Sequence, residues 1–483
     1  MPKTTRRSFI KLGAAAAGSA FLPASAKAQG RIVINDASRL NPTPVMRHFI
    51  VGDDPEAAAI ERLRRELREA SAERRPFAVG GARHSMGGQS IPRNGTAATF
   101  ATRICDLDQQ AKTYRTHAGT RWAHIITTLD RAGFSPAVMQ SNNDFATGGT
   151  LSVNAHGWPT PFGPFGATVR SFRLMRHDGE IVTCSRTENQ ELFSLVQGGY
   201  GLFGVILDMV VDMVPNMLLK PTYELMPSAD FGRRFVATLD RDPAIQMAYG
   251  RLSVARRNFL DEALMISYRL VPNPPRSLPT AATGGFMSSI SREIFRAQVG
   301  SETAKRARWS AETVANPSLS SGVGTRNSFM NEPVANLAGG DRFRTDILHE
   351  YFVAPDRFGD FITACRDTIL KSRQELLNVT LRHVLADTTS ALSYAPERRI
   401  AAVMLFSQAI TAEAEADMLQ MTEALIERVI AIGGSFYLPY RLHARRDQVM
   451  RAYPRLAEVA ERKRALDPDL LFRNAMWDAY FVA

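Results

Sequence analysis

The side chains best suited to chemistry gather around two glycine-rich runs. The first reads Val79-Gly80-Gly81-Ala82-Arg83-His84-Ser85-Met86-Gly87-Gly88-Gln89-Ser90 and is entered from a short apolar stretch. Glycines let a backbone approach a bulky anion and aim successive N–H groups at it, and Arg83 adds a fixed positive charge. Such a loop fits a dinucleotide pyrophosphate, with Gly80, Gly81, Ala82, Arg83, His84, Ser85, Gly88 and Gln89 as the expected contacts. The second run is Thr147-Gly148-Gly149-Thr150-Leu151-Ser152-Val153-Asn154-Ala155-His156-Gly157. It reads as small residues flanking a short polar strand, with Thr150, Ser152 and Asn154 alternating onto one face. Thr147, Gly148, Gly149 and Gly157 complete the expected contacts. Two such runs in one part of the chain point to a single extended ligand held from two sides. A third stretch, Gly199-Tyr200-Gly201-Leu202-Phe203-Gly204, spells G-x-G-x-x-G. A nicotinamide-binding turn needs a strand before it and a helix after it. Here helical periodicity precedes and an apolar strand follows, so this motif is not read as a nicotinamide site.

These loops need elements to hold them. Residues 55–70 have helical periodicity with Asp53 or Asp54 placed to cap it, and 76–79 form a short strand running into Gly80. Strand-like runs follow at 97–101 and 113–117, then a helix over 121–132 stopped by Gly133. Residues 170–176 and 181–184 read as a hairpin around His177-Asp178-Gly179-Glu180. A short helix spans 188–196, and an apolar strand covers 205–214 before Pro215. Beyond Pro215 the elements lengthen, as at 264–271 and 347–353, so a domain boundary is placed at 215–220. The last forty residues, from Arg445 on, are helical with an aromatic tail. The fold class is α+β with two domains.

Composition excludes several classes. The chain has 483 residues, 45% hydrophobic and 22% charged, enough for a large core and unlike a disordered protein. Of the formal charge of +11, Lys3, Arg6, Arg7, Lys11 and Lys27 lie within the first 28 residues, which hold no acid. The other basic residues are mixed with acids along helix faces, and no basic stripe with stacking aromatics marks a nucleic-acid partner. Arg6-Arg7-Ser8-Phe9, an apolar stretch of small residues and Ala26-Lys27-Ala28 form a twin-arginine signal peptide over 1–28, directing the protein to the periplasm. No segment of the mature part is expected to span a membrane. Cys105, Cys184 and Cys365 lack metal-ligand spacing and read as free thiols, although a disulfide is open in an oxidising compartment.

The first run resembles the G-x-G-H-S-x-x-G-Q segment of the vanillyl-alcohol oxidase and p-cresol methylhydroxylase (PCMH-type) superfamily. The second is similar to the G-G-T-L-S-x-N-A-x-G segment of its cytokinin dehydrogenases. The stretch from Gly163 to Gly204 resembles decaprenylphosphoryl-ribose oxidase, and Asp467-Pro468-Asp469 through Asn474 resembles the ending of sugar-lactone oxidases. The resemblance implies an FAD-binding domain over 47–218, a substrate or cap domain over 219–444 and a C-terminal segment, 445–483, returning to the first domain. It also implies bound FAD, with Gly204, Val205 and Asn474 among its contacts. In covalent members the histidine of G-H-S bonds the flavin. His84 stands there, with Arg83 in place of the preceding glycine, and the other reading makes His84 a loop residue that only hydrogen-bonds the cofactor.

For the reaction itself, Glu350 lies in a Glu-Tyr-Phe-Val strand similar to that of sugar oxidases, with Phe352 where an arginine would stand. His156 matches a histidine of the decaprenylphosphoryl-ribose oxidase segment. Arg382 and His383 point to opposite faces of a strand, and Arg382 is placed to bind a polar substrate or the flavin's anionic edge. Asp144 sits too near Gly148 for the cytokinin dehydrogenase base and reads as a loop cap. These residues imply hydride removal from an alcohol carbon of a polyol, sugar or sugar lactone, with oxygen, a quinone or a redox protein accepting the electrons. Amine oxidation of the cytokinin dehydrogenase type, or a flavin-binding electron-transfer or assembly partner, are the alternatives.

Overall fold

In the computed structural model the described residues are 32–52, 56–282, 292–315, 322–334 and 341–482. The proposed signal peptide lies outside them, as do Asp53 and Asp54.

Three parallel strands, Arg47–Val51, Thr96–Phe100 and Phe77–Gly80, form a small sheet with Thr96–Phe100 at its centre. The helix Glu56–Ala72 connects the outer two and buries Leu63, Leu67 and Ala70. A parallel connection of this kind sets the next loop at the carboxyl end of a strand, where ligands bind in parallel sheets. The first glycine run therefore leaves the sheet at Gly80.

Beside it, an antiparallel sheet runs in the order Ile181–Ser185, Val169–Met175, Val205–Pro215, Thr113–His117 and Cys105–Asp108. The hairpin around Gly179, at φ +82°, pairs Met175 with Ile181. Trp122–Arg131 is the helix read from the sequence, and its Trp122, Ile125, Ile126 and Leu129 are buried.

The second glycine run departs from expectation. Thr147–Ser152 is a short helix, not a strand, so Thr150, Ser152 and Asn154 do not share a face. Tertiary contacts decide this. The Thr147 and Gly148 amides donate to the Thr120 and Ala118 carbonyls at 3.1 and 2.8 Å, and the Thr150 amide closes a turn onto the Ala146 carbonyl at 3.0 Å. A Cβ at Gly148 would stand 2.6 Å from that of Ala118, so only glycine allows the approach.

An eight-stranded antiparallel sheet occupies the later chain, in the order Gly324–Thr325, Leu218–Pro227, Glu262–Leu270, Ile245–Leu252, Glu375–Val384, Arg399–Ala409, Arg344–Val353 and Ser435–Phe436. The helices Phe231–Arg241, Phe358–Ile369 and Ala412–Ala431 bury apolar residues. Phe235 meets the ring of His383, and Phe361 meets Tyr351. Side chains alternate along a strand, so Arg382 and Glu350 stand on the face away from these helices. The chain then returns: the Phe77 amide donates to the Leu471 carbonyl at 2.6 Å, and the Phe472 ring packs edge-on against Phe77. No described helix is long and apolar enough to cross a membrane, and no described group of His, Cys, Asp or Glu is arranged to hold a metal. All three cysteines are free.

Candidate active site

A cavity of about 780 Å³ lies between the glycine runs and the outer face of the large sheet. That volume is in the range of cofactor and substrate sites. Gly80, Gly81, Ala82, Arg83, His84, Ser85 and Gln89 line it from the first run, and Gly148, Gly149, Thr150 and Ser152 from the second. Gly204 joins them, with Tyr200 and Gly201 at φ +53° and +75°. His156, Glu350 and Arg382 line the same cavity.

Six expected contacts stand one layer back. Gly88, at φ +71°, donates its amide to Asp36, and the Thr147 hydroxyl bonds the His117 carbonyl. Asn154 turns away to bond Asp387, Ser390 and the Gly166 amide, because its φ of +46° ends the helical turn. Gly157 packs against the Met139 carbonyl, and Val205 opens a buried strand. Asn474 donates to the Gln89 and Tyr200 carbonyls at 2.9 and 3.0 Å, fastening two walls together from behind.

The walls suit a dinucleotide. The backbone N–H groups of Ala82, Arg83, His84 and Ser85 have no protein acceptor among the described residues, nor does the buried Ser90 hydroxyl. Polar groups left this way are costly unless a ligand or water meets them. At Gly149 and Gly201 a Cβ would enter open space, so the cavity runs up to bare backbone. Arg83 adds charge at this end while its guanidinium bonds the Thr99 hydroxyl at 2.6 Å. The residues fit FAD.

His84 stacks on Phe145 with ring centroids 4.1 Å apart. Burial lowers its imidazole to about 4, with Asp144 opposing and Arg121 reinforcing the shift, so the ring is neutral at neutral pH. Asp144 accepts the Val334 amide through both carboxylate oxygens, at 2.9 and 3.1 Å, and so acts as a loop cap.

At the sheet face, the Glu350 carboxylate is held between His156 Nε2 and the Tyr440 hydroxyl, the latter at 3.0 Å. Burial pushes Glu350 up, but His156, Arg382 and Tyr440 outweigh it and hold the carboxyl below its ordinary range. Tyr440 is pushed up by burial and by Glu350, so it keeps its proton and donates. In a neutral His156 ring, an ionised Glu350 places the proton on Nε2 and the lone pair on Nδ1. Nδ1 is buried and has no partner among the described residues. Arg382 donates to the His156 carbonyl at 3.0 Å and to the Ser141 hydroxyl, and Trp158 donates to the same hydroxyl at 2.8 Å.

Sequence reasoning missed Tyr440, Ser141, Trp158 and Arg251, all on the cavity wall. Two weak signals pointed there: the polar run from Gln140 to Asn143 just ahead of the second glycine run, and the aromatic cluster Phe436-Tyr437-Leu438-Pro439-Tyr440. Nothing local marks Arg251.

Comparison with known proteins agrees with this geometry. Residues 56–185 match the FAD binding domain family. An uncharacterized oxidoreductase of Rhodococcoides fascians is 30% identical over 30% of this chain and 33% of its own length. Cytokinin dehydrogenase 8 of Oryza sativa subsp. indica is 31% identical over 28% of each chain. The mitochondrial L-galactono-1,4-lactone dehydrogenase 2 of Oryza sativa subsp. japonica is 28% identical over 34% of this chain and 28% of its own. The chain thus spans about a third or less of the curated relatives it matches. The likeness to PCMH-type FAD oxidoreductases holds over this part.

Proposed function

We propose, from a chain that carries an FAD-binding domain and takes FAD as its cofactor, that this oxidoreductase acts on an alcohol carbon of a small polyhydroxylated substrate, a polyol, sugar or sugar lactone. One observation carries the reading. The array of buried His156 and Glu350 with half-buried Tyr440, and Arg382 beside it, stands on the wall of the same cavity as the FAD loops. The lactone dehydrogenase named above supports it as a relative.

Bound FAD supplies a two-electron acceptor for the hydride that leaves the substrate carbon. The His156–Glu350 pair takes the hydroxyl proton, which comes to rest on the ring. Glu350, on Nε2, holds the tautomer that leaves Nδ1 free and stabilises the imidazolium that results. Glu350 is itself the poorer base, because its carboxyl is held below the ordinary range and a base works best near the operating pH. Tyr440 fixes the second carboxylate oxygen. Arg382 and Ser141 offer donors to substrate oxygens.

In this reading residues 47–218 bind FAD, 219–444 cover the substrate, and 445–483 lock the two together. His84 carries the flavin covalently, since a neutral imidazole is the nucleophilic form. Residues 1–28 send the folded protein to the periplasm by the twin-arginine route.

Anaerobic mixing of the yellow holoprotein with polyols, aldoses, lactones and cytokinin-type amines tests the assignment. Bleaching of the flavin by a hydroxylated substrate supports it. The likeness to cytokinin dehydrogenase 8 favours amine oxidation as the second reading, and bleaching by amines alone would establish that instead. A fully FAD-loaded protein that none of them bleaches would point to an electron-transfer or assembly partner.

A further inference from the structure

The short segment Asp36-Ala37-Ser38-Arg39-Leu40-Asn41, ahead of the small parallel sheet, lies against the first glycine run. The Ala37 amide donates to the Arg83 carbonyl at 3.1 Å. A peptide unit is planar, so holding that carbonyl also fixes the direction of the His84 N–H. That N–H is one of the four amides of the run with no acceptor among the described residues. The Asn41 side-chain amide donates to the Met86 carbonyl at 2.8 Å, and the Gly88 amide donates to Asp36 Oδ2 at 2.9 Å. The run is thus held at three backbone groups between Arg83 and Gly88.

Asp36 organises these contacts. It is 6% exposed, and a carboxylate so buried must be met by donors. Besides Gly88 it accepts the Ser38 amide at 3.0 Å, the Ser38 hydroxyl at 2.5 Å and the Asn41 side chain at 2.6 Å. One carboxylate therefore both folds the segment and seats it on the run. The segment is also tied to the large sheet and to the loop that carries Tyr440. The Thr345 hydroxyl donates to the Ser38 carbonyl at 2.6 Å, and Arg441 donates to Asn41 Oδ1 at 2.7 Å. Arg39 donates to the Asp341 carbonyl at 2.9 Å and to the Arg344 carbonyl. Ala37 and Arg39 themselves line the cavity.

We infer that residues 36–41 form a strap that retains FAD, with Asp36 as its positioning residue. Asp36 acts on the cofactor through the run that it holds. FAD, seated between that run and the sheet, is released when the strap parts from one of them. This inference concerns the cofactor, and it rests neither on the alcohol-oxidation reading nor on a covalent flavin.

Release of FAD from His84→Ala protein, in which that bond cannot form, tests it. The holoprotein is mixed with an excess of an apoflavoprotein trap and flavin fluorescence is followed. Adding Asp36→Ala should raise the dissociation rate about tenfold or more, as expected when a hydrogen bond to a charged group is lost. Asp36→Asn keeps an oxygen for the Gly88 amide and should recover part of the slow release. Thr345→Val loosens the strap from the sheet without touching the glycine run, and should raise the rate by a smaller factor. These two variants keep the test usable if Asp36→Ala does not fold. Release from Asp36→Ala as slow as from His84→Ala alone would overturn the inference. Unchanged release from Thr345→Val, or no recovery in Asp36→Asn, would make Asp36 a residue of the fold alone and overturn it equally.

Discussion

Replacing Glu350 by Gln removes one negative charge while preserving shape, and its effect follows from the partners of that carboxylate. Glu350 is 4% exposed and meets His156 Nε2 on one oxygen and the Tyr440 hydroxyl on the other. If His156 takes the substrate proton, a positive charge forms within hydrogen-bond distance of Glu350. Two unit charges about 4 Å apart interact by about 4 kcal/mol at the effective dielectric constant of about 20 that suits protein sites. A loss of about 3–4 kcal/mol corresponds to a rate lower by a factor of about 10² to 10³. Fold and FAD binding should survive, because the Gln carbonyl still accepts from Tyr440 and the glycine loops are untouched. The measurement is the anaerobic rate of flavin bleaching at saturating substrate, alongside FAD content. Tyr440→Phe, which deletes only the hydrogen bond to Glu350, should slow bleaching less. An FAD-replete Glu350→Gln protein bleached at a rate near that of the parent would refute the assignment of Glu350 to this role.

Acid precipitation should carry the yellow colour down with the parent protein and release it from His84→Ala, which still binds FAD through the glycine runs; colourless precipitate from the parent would remove the covalent link. Asn474→Ala deletes the bonds to Gln89 and Tyr200 and the cap on the helix Ala475–Tyr480, at a combined cost of about 3 kcal/mol, read as a lower denaturant midpoint. Glu415 is pushed up by burial, but His443, Gln408 and Arg441 overcome this and hold it at about 2, against an ordinary 4.5. That depressed value contributes stability present above about pH 4.5 and lost as the pH falls toward 2, at most about 3 kcal/mol and nearer 1–2 after allowing for solvent screening. Acid-unfolding curves of Glu415→Gln should therefore be flatter than the parent's over that window, and identical curves would count against it.

Local patterns were read well where one face of an element is buried. Thr113–His117 was read with its bounds, and the Trp122–Arg131 helix within a residue at each end. The second glycine run was misread because small residues carry little periodicity; Ala118 and Thr120, from elsewhere in the chain, determine its helical turn. His156 and Glu350 were each legible by resemblance, but not their pairing. They are 194 residues apart and meet only because the large sheet turns Glu350 toward the cavity. Tyr440 and Arg251 stand in no motif: Tyr440 lies in the loop after Ser435–Phe436, and Arg251 meets Thr380 through the register of neighbouring strands.

The late position of Leu471, Phe472 and Asn474 also bears on how the protein is made. These residues contact the strand of the first glycine run and the wall around Tyr200, yet Asn474 follows Gln89 by 385 residues. Domains generally fold as they emerge, beginning from the N-terminus, but here the walls around the glycine runs must wait for a segment made long after them before they are fastened. Cofactor loading is thus expected only after that segment has been made, and chains cut before Leu471 should accumulate as colourless polypeptide even though every residue of both glycine runs is present.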